Sequence, residues 1–212
     1  MVQCPSCARL QEPRLVCADC AAPLACSLDC FAALGLARKL EIDPGQLELA
    51  YHDLGRRLHP DRFANASAKV RDLSMRATAL LTRAYRTLRD PVSRGLYWLE
   101  LNGRKLAENN QQVAPELAAM VFETQEELAE LRAARPPDAV AASGVRERQI
   151  QVRALIERLK VELEANFRAF DRVEAEASAK LFEELKSILS ATAYLRTLAR
   201  DIEKALDRRA AG

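Results

Sequence analysis

RRLHPDRFA, residues 56–64, is a basic stretch broken by a proline. Pro60 has no N–H to give a helix and pushes the residue before it out of helical conformation. A helix reaching Leu58 must therefore stop on His59-Pro60-Asp61. Upstream, EIDPGQ (41–46) marks its start: Asp43 can cap, Pro44 suits the first turn, and Gln46 stands three residues after the cap. Between these ends Leu47, Tyr51, Leu54 and Leu58 recur at spacings of three and four and form one apolar stripe. Arg56 and Arg57 fall off that stripe and face water. Downstream, a second long helix is expected from Ser67 to Arg89, with Leu73, Ala77, Leu80, Leu81, Ala84, Tyr85 and Leu88 on its buried face and Asp90-Pro91 as its stop. The short connection makes the pair an antiparallel hairpin with His-Pro-Asp at its tip. A helix from Val92 to Leu101, closed by Asn102-Gly103, follows, and a short one over Leu28 to Leu36 precedes.

Composition points the same way. Of the 212 residues 49% are apolar, 29% are charged and only 7 are glycine, with Ala, Leu, Arg and Glu dominant. That favours a mostly helical fold. A net charge of +2, mixed along the chain, argues against a general nucleic-acid binder, which would carry a basic stripe. No apolar run approaches the ~18 residues needed to span a bilayer. MVQCPSC at the N-terminus has neither the basic nor the apolar part of a secretory leader, so a cytoplasmic location is expected.

All six cysteines lie within the first 30 residues. Cys4, Cys7, Cys17 and Cys20 form two C-x-x-C pairs, each able to make a tight knuckle. Together they suit the closed tetrahedral site of a structural Zn²⁺, which leaves no open position for a substrate. Disulfides or free thiols and an iron–sulfur cluster are the alternatives, the first disfavoured in a reducing compartment. Cys26 and Cys30, one helical turn apart, read either as small buried apolar residues or as further ligands.

Residues 104–114 are polar and aperiodic and mark a linker. Three helical patterns follow, over about 115–133, 142–175 and 178–208, the first ended by RPPD. The second carries Val152, Leu155, Ile156, Leu159, Leu163, Phe167 and Phe170; the third carries Leu181, Leu185, Ile188, Leu195, Ile202 and Leu206. Spacings of three, four and seven with short connections imply an antiparallel three-helix bundle. The fold class expected is all-α: a zinc knuckle unit (1–25), a helical hairpin domain (26–103) and a C-terminal bundle (104–212).

His-Pro-Asp is a short motif, but its flanks add weight. AYHDLGRRLHPDRF (50–63) and LTRAYRTLRDPVSRGLYWL (81–99) together resemble a J-domain. With the tetracysteine unit, DCFAALGL (29–36), SRGLYWLELNG (93–103) and the terminal bundle, nearly the whole chain resembles the HscB family of iron–sulfur cluster co-chaperones. That resemblance implies that His59, Pro60 and Asp61 contact an HscA- or DnaK-type ATPase chaperone and stimulate its hydrolysis. Arg56, Arg57 and Arg62 would steer an acidic partner. It also implies that the bundle binds an IscU-type scaffold through ELAAMVFETQEEL (116–128). There Leu117, Val121, Thr124 and Leu128 read as core, while Ala118, Ala119, Phe122, Glu123 and Glu126 read as a recognition patch, joined by Tyr194 from the last helix. Two departures stand out: Cys30 replaces the family's usual Tyr, and Ala118 and Ala119 replace larger apolar residues. No glycine-rich phosphate loop is present, so the chain is expected to be an adaptor rather than an enzyme. The rival readings are a general J-protein for unfolded clients and a zinc-ribbon nucleic-acid binder.

Overall fold

The computed structural model describes residues 1–24, 27–106, 115–133, 139–173 and 178–210. Cys26, most of the expected linker and the RPPD stop lie outside them. The described residues are predominantly helical and divide into two compact units, Met1–Tyr97 and Trp98–Gly212.

The first unit opens with a small cysteine-bearing segment. Strands β1 (Val2–Gln3) and β2 (Leu10–Gln11) pair antiparallel, Val2 opposite Gln11 and Gln3 opposite Leu10. A second loop closes where Val16 bridges Pro23. Four helices follow: α1 (Cys30–Ala33), α2 (Pro44–Leu58), α3 (Ala68–Arg89) and α4 (Pro91–Leu101), with a single 3-10 turn at Pro60–Phe63. α2 spans the residues expected of it. The Asp43 carboxylate accepts from the Gln46 N–H at 2.7 Å and satisfies one of the orphan donors of the first turn. Ser67 caps α3 in the same way.

The expected helix over 28–36 is shorter. The Asp29 carboxylate caps at Ala32 N (2.8 Å), so helix begins only at Cys30. It ends where Gly35 turns left-handed at φ +69°, with Leu36 N–H donating to Phe31 O at 2.9 Å. Phe31, 1% exposed, is the side chain α1 contributes to the core.

α2 and α3 pack as the antiparallel hairpin, with Leu47, Leu58, Leu73, Ala77, Leu81, Ala84 and Leu88 buried. Leu80 and Tyr85 are half-buried, and Tyr85 stacks on Tyr51 with centroids 4.1 Å apart. Ser74 is a buried polar residue that hydrophobic periodicity does not reveal. Its hydroxyl donates to the carbonyl of Leu58 at 2.7 Å, and the Thr78 hydroxyl donates to the same oxygen at 3.3 Å. The last residue of α2 is thus tied to the middle of α3.

Asp90, Pro91 and Arg94 have a local physical role. Asp90 caps α4 by accepting from Ser93 N (2.9 Å) and Ser93 Oγ (2.8 Å), and Pro91 occupies the first helical position. Buried Arg94 donates to the Leu88 carbonyl at 3.1 Å, tying α4 to the end of α3. Gly103 closes α4 at φ +66°, with Arg104 N–H bonded to Leu99 O at 2.8 Å.

The second unit holds α5 (Pro115–Ala133), α6 (Ala139–Phe170) and α7 (Ala179–Ala210), each packed on the other two. The core is built from Leu128, Leu131, Val145, Val152, Leu195, Leu198, Ile202 and Ala205. Leu117, Val121, Leu155, Ile156, Leu159 and Leu206 lie against it, so the expected stripes face inward. α6 stops at Phe170, earlier than the 142–175 pattern suggested, because Arg172 and Val173 donate to carbonyls three residues back and tighten the chain into a turn. Phe170 meets Phe182 edge-on at 4.8 Å and Trp98 at 6.2 Å, and the Arg104 guanidinium lies 4.1 Å over the Phe182 ring. Among the described residues no helix is long and apolar enough to cross a membrane.

If the Leu58 carbonyl depends on its buried donor, Ser74→Ala costs about 1 kcal/mol of stability in urea unfolding. An unchanged midpoint would show that Thr78 alone satisfies that carbonyl.

Candidate functional site

Three places collect the candidate residues. The first is the thiol cluster. In each knuckle a five-residue turn folds back on its leading cysteine. Ala8 N–H donates to Cys4 O (3.0 Å) and Ala21 N–H to Cys17 O (3.2 Å). Ala8 and Ala21 both sit at φ +58°, a left-handed conformation that costs a non-glycine residue about 1–2 kcal/mol. The two turns bring the Sγ atoms of Cys4, Cys7, Cys17 and Cys20 within 4.8 Å of one another, in a cluster that can hold a metal ion. Cys4 and Cys20 are 3.5 Å apart, Cys7 and Cys17 3.7 Å. A tetrahedron with ~2.3 Å metal–sulfur bonds has edges of about 3.8 Å, so the spacing fits a soft tetrahedral cation.

Gln11 is the site residue that the cysteine spacing did not reveal. Its amide donates to Cys17 Sγ at 3.0 Å while its carbonyl accepts from Ala18 N at 3.0 Å. Hydrogen bonds from the Cys20 backbone N–H and then from Gln11 hold the Cys17 thiol down at about 6. For Cys20 the Ala22 N–H pulls downward, but desolvation and the neighbouring thiols outweigh it and push the group up to about 12. Cys7 is also raised, by desolvation and by Cys4, against the Arg9 N–H. Cys30 is not one of the clustered sulfurs. It is buried in α1, its N–H donates to the Tyr97 hydroxyl oxygen at 3.0 Å, and burial pushes its thiol up.

The second place is the corner after α2. His59 sits at φ −54°, ψ 129°, outside the helix, and Pro60 opens the 3-10 turn. The Asp61 N–H donates to His59 Nδ1 at 3.3 Å, so the imidazole braces the turn from within. The side chains of His59 and Asp61 are 60% and 89% exposed, and Pro60 and Arg62 are exposed beside them. Arg56 and Arg57 both reach Asp53, at 3.6 and 3.5 Å. Pairs this exposed hold weakly and leave both cations able to turn outward. Pro60 also borders an open cleft of about 580 Å³ along the outer face of α3, lined by Met75, Thr78, Thr82, Arg83 and Arg86 among others. The corner is therefore an exposed, proline-constrained turn with an acid at its tip and cations on both sides.

The third place is the outer face of α5. Phe122 is 66% exposed, with Ala118, Ala119, Glu123 and Glu126 exposed around it, while Thr124 and Leu128 turn inward. Tyr194, 41% exposed, lies on α7, which packs on α5. Glu123 is also part of an ion cluster that the sequence did not reveal. Arg148 of α6, its side chain 18% exposed, bonds Glu127 at 2.6 Å and reaches Glu123 at 3.4 Å. The Glu127 hydrogen bond raises the Arg148 pKa, and Glu123 adds to it. This bridge ties α5 to α6, while the buried stripe of α5 sets which of its faces points outward.

A helical hairpin turned on an exposed His-Pro-Asp corner, followed by a three-helix bundle, is the arrangement that the resemblance to a co-chaperone of the J-domain type implies. The chain is 34% identical over 152 residues to the "Co-chaperone protein HscB homolog" of Burkholderia multivorans, covering 71% of this chain and 85% of that one. It is 39% identical over 118 residues to the "Iron-sulfur cluster co-chaperone protein HscB homolog" of Arabidopsis thaliana, covering 55% of this chain. That match spans about half of the plant protein's length, 47%. The crystal structure of human co-chaperone protein HscB superposes with a TM-score of 0.72 at 27% identity, covering 95% of this chain and 97% of that one. No family model matches the chain. The chain belongs to the HscB co-chaperone family.

Two outcomes are expected of the thiol cluster. At neutral pH Cys17 is largely thiolate while Cys7 and Cys20 carry protons, so metal uptake must expel protons and affinity must rise with pH. Competition with a chelator between about pH 6 and pH 8 measures this, and a flat profile contradicts it. Replacing Gln11 by Met keeps the length of the side chain but removes its donor to Cys17, and weakens metal binding about 10–100-fold in the same assay.

Proposed function

We propose that this protein is an adaptor in iron–sulfur cluster assembly, joining an IscU-type scaffold to an HscA/DnaK-type chaperone and stimulating the chaperone's ATPase. The observation that carries the reading is the exposed corner at the end of α2, with Asp61 89% exposed at its tip. A carboxylate held in one place can accept paired hydrogen bonds from an arginine of the chaperone. Pro60 and the His59–Asp61 bond remove most of the loop's freedom before docking, so little ordering cost remains. Arg56, Arg57 and Arg62 raise the rate of encounter with an acidic surface.

In this reading residues 26–103 act as the J-domain and residues 104–212 as the scaffold-binding bundle. Phe122 is the anchor, Ala118, Ala119, Glu123 and Glu126 surround it, and Tyr194 adds a second ring. The alanines make the patch small, so Phe122 supplies a large share of the affinity. Holding scaffold and chaperone on one chain converts their meeting into an intramolecular event at high effective concentration. The chain itself carries out no chemical step. Cys4, Cys7, Cys17 and Cys20, in residues 1–25, hold a structural Zn²⁺, which with four thiolates keeps the two knuckles closed. The names of its relatives, the buried bundle core and the solvent-facing corner support this assignment, with the bacterial cytoplasm as its setting and neither nucleic acid nor membrane as partner.

The two surfaces separate by mutation. Asp61→Asn is expected to abolish stimulation of chaperone ATP turnover while scaffold binding, by isothermal titration, stays unchanged. Phe122→Ala is expected to cost about 2 kcal/mol of scaffold affinity and to leave stimulation in the absence of scaffold intact. Stimulation surviving Asp61→Asn removes the corner from the mechanism. Equal affinity for scaffold and for a reduced, unfolded protein would favour a general co-chaperone instead.

A further inference from the structure

The inner side of α6 is accounted for: Val145, Val152, Leu163, Phe167 and Phe170 are buried. Its outer side is not uniformly polar. Ile150 and Val161 are 68% and 63% exposed, and Ala154 and Ala165 are exposed on the same side. Positions 150, 154, 161 and 165 follow steps of four and seven, which place them in one seam opposite the core. Single exposed apolar residues need no explanation, but two apolar pairs repeated on one face, on either side of Glu157 and Arg158, suit a helical partner.

The seam is complementary to itself. When a second α6 is laid antiparallel about a point between residues 157 and 158, Ile150 meets Ala165 and Ala154 meets Val161. Each branched side chain faces a methyl group. In the same register Glu157 meets Arg158 at the centre and Glu147 meets Arg168 toward the ends. Every pairing occurs twice, as a two-fold axis requires. Within one chain Glu157 holds Lys160 at 2.8 Å and Arg158 holds Glu162 at 3.0 Å. Such exposed intrahelical pairs contribute only about 0.2–0.5 kcal/mol, so the charged groups can re-pair across an interface. The acids and bases of the seam balance, which selects neither a strongly acidic nor a strongly basic partner. It selects a copy of itself.

We propose that the outer face of α6 is a self-association surface on which a second copy of this chain packs antiparallel. The seam from Glu147 to Arg168 is about 32 Å long at 1.5 Å per residue. One helix against one helix lies at the small end of interface sizes, where complexes are transient. The dimer is accordingly weak, forms at high concentration and dissociates on dilution. This surface lies on the far side of α6 from its core, and the adaptor reading does not depend on it.

Sedimentation of the full chain from about 1 to about 200 μM tests the proposal, with a reversible monomer–dimer equilibrium as the expected result. Val161→Glu, which sets a charge against the facing Ala154, raises the dissociation constant about tenfold or more. Glu157→Arg alone does the same by opposing the facing Arg158, and the double variant Glu157→Arg/Arg158→Glu restores the wild-type value. All of these positions face solvent in one chain, so circular dichroism and melting temperature stay unchanged. A chain monomeric at every concentration overturns the proposal, as does a dimer indifferent to Val161→Glu or a double variant that fails to recover. If Val161→Glu instead weakens scaffold or chaperone binding with association unaltered, the seam belongs to that partner and the proposal fails.

Discussion

The first unit depends on how one helix end is held. Leu58, the last residue of α2, is fully buried, and its carbonyl accepts from Ser74 and Thr78 of α3. The final carbonyls of a helix have no intrahelical donors, and a buried one left unpaired costs about 1–3 kcal/mol. By meeting that need from the neighbouring helix, the fold pins the point where the chain leaves α2. Two residues later Pro60 fixes the direction of exit. The result is a turn anchored by what lies beneath it, although His59, Pro60, Asp61 and Arg62 are exposed.

The same division of labour recurs in the second unit. The core stripe of α5 orients the helix, and the Arg148–Glu127–Glu123 cluster ties it to α6. Phe122 is thereby presented outward, most of its surface in water. In both units an exposed group is aimed by buried neighbours: Leu58 and Ser74 beneath the corner, Thr124 and Leu128 beneath Phe122. This explains why a large aromatic 66% exposed can be tolerated: the stability of the bundle resides in Leu128, Val152, Leu195 and Ile202 beneath it.

Much of this was legible in the sequence because it rests on local chemistry. Asp43, Pro44 and Ser67 set helix starts through capping, Pro60 and Asp90-Pro91 set stops, and spacings of three and four assign buried faces. The C-x-x-C pairs announced a thiol cluster because the turn they make needs only adjacent residues. What escaped was non-local or polar. Ser74 and Thr78 acquire meaning only when α3 lies against the end of α2. Gln11 reaches Cys17 only after the two loops have closed, and the left-handed Ala8 and Ala21 give no compositional sign, since glycine is the usual residue there. Arg148 lies on α6 and its acids lie on α5, so they meet only when the two helices pack. The apolar pattern over 28–36 runs past the actual helix, which is bounded by the local signals of Asp29 and Gly35.

The central claim is that one chain carries two docking surfaces, the corner at residues 56–62 and the face at residues 118–126. Amide hydrogen exchange of the full protein, alone and then with ATP-loaded chaperone and with scaffold in turn, tests it most directly. The account predicts protection at the corner with chaperone only and on α5 with scaffold only, each footprint persisting when the other partner is present. A corner that exchanges at the same rate with and without chaperone, or a single region protected by both partners, would contradict it.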